Sequence, residues 1–108
     1  MSEFSVNDML AMQQALQEKY RGKWKPICPE TGINKLLWLV GELGEVIDIV
    51  KKNGTEKALS DPVLREHLVE EMADVLMYYH DVMLCFDISA EELQKAYTEK
   101  FQRNMNRW

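Results

Sequence analysis

The chain has 108 residues, 46% of them hydrophobic and 29% charged, with a formal net charge of -5. That length allows one domain with a real core and not two. The negative balance argues against a surface for a nucleic-acid polymer, but not against a small anion that arrives with its own metal.

Four helices and no strand are expected, in a single domain covering residues 1–108. Ser5 with Asp8 has the form of an N-terminal cap, and the first helix runs to about Tyr20. Residues 21–32, RGKWKPICPETG, carry two prolines and two glycines and read as a loop. The second helix spans about Ile33 to Lys52, with Lys51 and Lys52 suiting its C-terminal dipole and Asn53-Gly54 its stop. The third opens at Asp61-Pro62, a cap followed by proline at the first helical position, and continues to about Phe86. Ser89-Ala-Glu-Glu92 is a capping box for the fourth, which reaches nearly to Trp108.

The opening MSEFSVNDML has no basic n-region and no long apolar run, so it does not read as a signal peptide. No stretch approaches the length of a membrane span. Cys28 and Cys85 belong to no CxxC pair. Free thiols in a cytoplasmic protein are expected.

The second and third helices carry the chemistry. At about 100° per residue, Leu36, Val40, Leu43, Ile47 and Val50 form one apolar arc, and Lys35, Trp38, Glu42, Glu45 and Ile49 a separate stripe. On the third helix Val69, Met72, Leu76 and Met83 mark a core arc, while His67, Glu71, Asp74 and Tyr78 share another stripe. Each stripe holds an acidic doublet, Glu42-x-x-Glu45 in GELGEV and Glu71-x-x-Asp74 in EEMADV. Residues three apart on a helix share a face. If the helices pack stripe to stripe, four carboxylates converge, and their repulsion calls for cations. Hard divalent ions suit such oxygens, Mg2+ above all, with a phosphate-bearing substrate completing the coordination. Zinc is disfavoured because no His or Cys lies at ligand spacing. A di-iron site would want Glu-x-x-His, and neither His67 nor His80 has a Glu three residues before it. The bland alternative is that these acids are solvated surface charge.

ExxE, a spacer and then ExxD on two long helices resembles the MazG-like nucleoside triphosphate pyrophosphohydrolases. Their superfamily includes dCTP pyrophosphatases, dimeric dUTPases and phosphoribosyl-ATP pyrophosphohydrolases. The resemblance runs from NKLLWLVGELGEVIDIVKKNG through VEEMADVLMYYHDVML to the tail EKFQRNMNRW. The short form and the KFQRN-like tail resemble the MazG-like branch, while EMADVLMYYH is also similar to the phosphoribosyl-ATP enzymes.

The resemblance implies an all-α, four-helix protomer assembling into helical-bundle oligomers. It implies cleavage of a nucleoside triphosphate between the α and β phosphates, giving a monophosphate and pyrophosphate, as nucleotide-pool house-cleaning. Glu42, Glu45, Glu71 and Asp74 would then be catalytic Mg2+ ligands, with Mn2+ a possible substitute, unless one glutamate, Glu45 for choice, serves instead as the general base. Lys100, Arg103, Asn104 and Arg107 share a face of the last helix and either steady the triphosphate or form a solvated basic end. Lys35 either contacts phosphate or pairs with an acid. Trp24 and Trp38 either stack on the base or pack in a core or interface. Tyr78 either orients a carboxylate, touches the sugar or makes a structural hydrogen bond. His67 reads as a surface residue and His80 as structural.

Leu37 and Leu84 lie off the main arcs, so the helices are apolar on more than one side and a homodimer or homotetramer is expected. The rival readings are a phosphoribosyl-ATP pyrophosphohydrolase-like enzyme, a non-catalytic oligomerisation module and a nucleotide sensor without turnover.

Overall fold

The computed structural model describes residues 3–107, so Trp108 at the end of the tail motif lies outside the described residues. The helices are α1 (Val6–Lys19), α2 (Gly32–Asn53), α3 (Thr55–Ser60), α4 (Pro62–Cys85) and α5 (Ala90–Arg107), with a 3-10 turn at Pro29–Thr31. The all-α expectation holds: among the described residues there is no strand, only an isolated bridge between Arg21 and Trp24. No described helix is long and apolar enough to cross a membrane.

The ends follow their local chemistry. Ser5 and Asp8 form a reciprocal capping box, with Ser5 N–H donating to Asp8 Oδ2 at 2.8 Å and Asp8 N–H to Ser5 Oγ at 3.1 Å. Ser89 Oγ accepts from Glu92 N–H at 3.1 Å ahead of α5. Asp61 Oδ1 accepts from Val63 and Leu64 N–H at 3.1 and 3.4 Å, capping α4, with Pro62 inside the first turn. Asp61→Ala is expected to lower unfolding free energy by about 1 kcal/mol, read from chemical denaturation at unchanged m-value.

The short α3 corrects the four-helix reading. TEKALS is rich in helix formers, but six residues are too few to show a periodicity. Gly54, at φ +92°, lets the chain leave α2 and start α3 at once. Gly32 serves differently: a Cβ there would meet the Phe86 ring at 2.5 Å, so α2 starts hard against the residue that ends α4.

The main contact of the protomer is α2 against α4, with α1 also on α4 and α3 between α2 and α4. The arcs that read as a core are largely uncovered: Leu36, Val40, Leu43 and Ile47 on α2 and Val69, Met72 and Leu76 on α4 are exposed, while Met83 is buried. Helical period tells which residues share a face; it does not tell what covers that face. The acidic stripes of α2 and α4 are what face each other. Buried apolar residues are few, Ile49, Ala58, Met83 and Cys85, and both cysteines are free.

The helix α5 makes only glancing contact with the rest. The radius of gyration is 16.3 Å, against about 13 Å for a compact domain of this length.

Candidate functional site

The facing stripes of α2 and α4 converge on a carboxylate cluster. Glu42, Glu45 and Glu71 each offer an oxygen within 4.8 Å of the others. Asp74 is outside that triplet but close enough for its charge to raise the pKa of Glu42 and Glu71. Glu42 Oε2 and Glu71 Oε2 are buried and have no hydrogen-bond partner among the described residues. A buried polar atom without a partner is costly. Two such atoms in one all-oxygen cluster fit a hard divalent cation such as Mg2+ or Mn2+ far better than a soft one.

The cluster's electrostatics point the same way. Burial, then the Glu45 carboxyl and the charges of Asp74 and Glu71, push Glu42 from 4.5 up to about 7. Glu71 is raised too, first by burial and then by Glu45 and Asp74, with His67 opposing. A raised carboxyl pKa means folding favours the protonated form. That stabilisation is fully present below 4.5 and is lost as pH rises through about 7. The metal-free protein should therefore melt at lower temperature at pH 8 than at pH 5, and added Mg2+ should close much of the gap. A melting profile in EDTA that is flat or rises over that range would contradict this.

Beside the cluster lies a solvent-open cavity of about 430 Å³, lined among others by Lys23, Trp24, Lys35, Trp38, Asp74 and Tyr78. The Trp38 and Tyr78 rings tilt together at 6.1 Å between centroids, and Trp24 stacks on Tyr20 at 4.5 Å. Burial and the charges of Glu42, Asp81, Asp74 and Glu45 push the Tyr78 phenol above 10, so it remains a proton donor.

The cavity therefore gathers Trp24, Lys35, Trp38, Tyr78 and Asp74 from the residues singled out in the sequence. Lys35 is buried and pairs with Asp81 at 3.6 Å, its ammonium 5.3 Å from the centre of the Trp38 ring. Lys100, Arg103 and Asn104 are not brought to this cavity; they line shallow surface along the projecting α5 with Arg107. His67 is exposed, in reach of Glu70 and Glu71, and His80 is buried, its Nδ1 against Leu76 O.

Sequence reasoning passed over Asp81, Gln13, Gln17, Lys23, Lys25 and Glu70. A signal for Asp81 existed: it falls seven residues after Asp74 and so continues the acidic stripe of α4. Nothing in the polar run of α1 marks Gln13 as buried. Lys23 and Lys25 flank Trp24 in a loop without periodicity.

The family model for the MazG nucleotide pyrophosphohydrolase domain matches residues 30–107. No curated protein and no solved structure matched the chain.

Proposed function

The chain belongs to the MazG nucleotide pyrophosphohydrolase family, and from that premise we propose a Mg2+-dependent hydrolase that splits nucleoside triphosphates between the α and β phosphates. The observation that carries the reading is the carboxylate cluster with its two partnerless buried oxygens, set beside an aromatic-lined cavity. Glu42, Glu45, Glu71 and Asp74 would hold Mg2+, or Mn2+ in its place. A bound Mg2+ supplies charge neutralisation on the phosphate oxygens and lowers the pKa of a water.

The chain's own groups do the rest. Glu45, the most exposed of the glutamate triplet, takes the proton from the attacking water. Tyr78 donates a hydrogen bond toward substrate or carboxylate. Trp24 and Trp38 offer faces to the base, and Lys35 contacts the substrate from the cavity wall.

The active form is a homodimer or a dimer of dimers of this single-domain, cytoplasmic protein. The exposed arcs on α2 and α4 and the projecting α5 support that reading. In the assembly Lys100, Arg103 and Asn104 of one copy steady the triphosphate in its neighbour. Such a role suits house-cleaning of the nucleotide pool.

The test is a panel of nucleoside triphosphates with and without Mg2+, scoring pyrophosphate against phosphate. Pyrophosphate and monophosphate in equal amounts, only with the metal, are expected. Release of phosphate alone, or no turnover at all, would sink the reading. Trp24→Ala and Trp38→Ala should raise KM for the triphosphate in at least one case, since stacking on a base is worth about 1–3 kcal/mol. Unchanged KM in both folded variants would put base recognition elsewhere.

A further inference from the structure

One wall of the cavity is built from charge that burial makes costly. Asp81 and Lys35 are each 2% exposed and Gln13 is 5% exposed. Asp81 Oδ1 accepts from Gln13 Nε2 at 2.9 Å and from Gln17 Nε2 at 3.1 Å, and its Oδ2 faces Lys35 Nζ at 3.6 Å. Gln13, Lys35 and Asp81 all line the cavity. A buried ion pair adds little stability over an apolar replacement, so its presence in a cavity wall asks for a use.

The network fixes hydrogen-bonding polarity. An ionised carboxylate can only accept, so Asp81 holds the Gln13 amide with its NH2 inward. The Gln13 Oε1 carbonyl is then left as an acceptor, and among the described residues nothing donates to it. The Lys35 ammonium has three protons to give, and Asp81 at 3.6 Å is too far for a hydrogen bond. The wall therefore presents an unused acceptor from Gln13 and unused donors from Lys35.

Asp81 lies seven residues beyond Asp74 on α4, about 10 Å along the axis. That compares with the reach from an α-phosphate at the acidic cluster to the pairing edge of a base. Trp24 and Trp38 line the same cavity.

Resting on the pyrophosphohydrolase reading, we propose that Gln13 and Lys35, set by Asp81, select nucleotides whose base places an exocyclic amine beside an unprotonated ring nitrogen on its pairing edge, as cytosine and adenine do. The amine of cytosine or adenine donates to Gln13 Oε1, and the adjacent ring nitrogen accepts from Lys35. Uracil and hypoxanthine present a carbonyl and an N–H at those places, which sets acceptor against acceptor and donor against donor. Gln13 lies in α1, outside the residues 30–107 that match the family, whereas Lys35 and Asp81 lie within them. Gln13 and Lys35 touch the base; Asp81 is a positioning residue that acts through them.

The experiment compares CTP with UTP and ATP with ITP. Pyrophosphate release is measured with Mg2+, and CMP against UMP binding is followed separately by tryptophan fluorescence. The amino base is expected to win by about tenfold or more within each pair that is hydrolysed, mainly through KM, because a site built for a hydrogen bond rejects the analogue that cannot make it. Gln13→Leu removes the acceptor, and Asp81→Asn lets the amide turn over. Each should shrink the preference to about threefold or less. Equal or reversed preference in the wild type, or an unchanged preference in both variants with wild-type circular dichroism, overturns the proposal. CMP bound over UMP without any triphosphate turnover would uphold base selection and overturn the hydrolase reading; turnover without discrimination would do the reverse.

Discussion

Glu45→Gln is expected to lower kcat for pyrophosphate release by about a hundredfold or more without loss of stability. The substitution keeps the side chain's size and removes one negative charge. Glu45 neighbours both Glu42 and Glu71, and its carboxyl contributes to the raised pKa of each. With an amide in its place, Glu42 and Glu71 each lose a repelling neighbour, so the metal-free variant should melt at the same temperature as wild type or higher. Mg2+ should stabilise it less than it stabilises wild type, because one oxygen ligand has become a weaker one. A cluster serving only the fold gives the opposite pairing, with lower melting temperature and unchanged turnover. Turnover and melting, each with and without Mg2+, separate the two accounts on one variant.

Much of this was legible in the sequence because it is written in local rules. The caps at Ser5, Asp61 and Ser89 are patterns of four residues or fewer, and at each the side-chain oxygen accepts from a backbone N–H of the first turn. The acidic stripes were legible for a similar reason, since period fixes which side chains share a face. The structure puts those of Glu42, Glu45 and Glu71 together.

What local rules do not hold is the identity of the facing surface. Leu36, Val40, Leu43 and Ile47 had the look of a core and are exposed. Asp81 was passed over although it continues a recognised stripe, and its partner Gln13 is 68 residues away in sequence. No spacing rule could have joined those two. The short α3 was missed because six residues carry a composition and no periodicity.

The second large effect concerns those uncovered arcs. Ile47→Asp is expected to reduce the native mass to a single chain and to lower pyrophosphate release by tenfold or more, an order-of-magnitude figure for losing part of a substrate clamp. Ile47 is 60% exposed and Val40 63%. The protomer has an accessible surface of 8420 Å², whereas a folded monomer of 12.7 kDa would show roughly 6,200 Å² by the usual scaling. The surplus of about 2,200 Å² per chain is of the size that an obligate subunit interface removes from water. At a twofold interface one substitution appears on both surfaces, so an aspartate at position 47 brings two desolvated charges to the patch. Turnover should fall with dissociation because Lys100, Arg103 and Asn104 lie on an α5 that makes only glancing contact with its own protomer. Restoring activity by raising protein concentration would tie the loss to assembly and not to damage at the neighbouring Glu45. Light scattering that finds wild-type protein as a stable single chain at micromolar concentration would remove the basis for the assembly. The basic residues of α5 would then have no acidic cluster to serve.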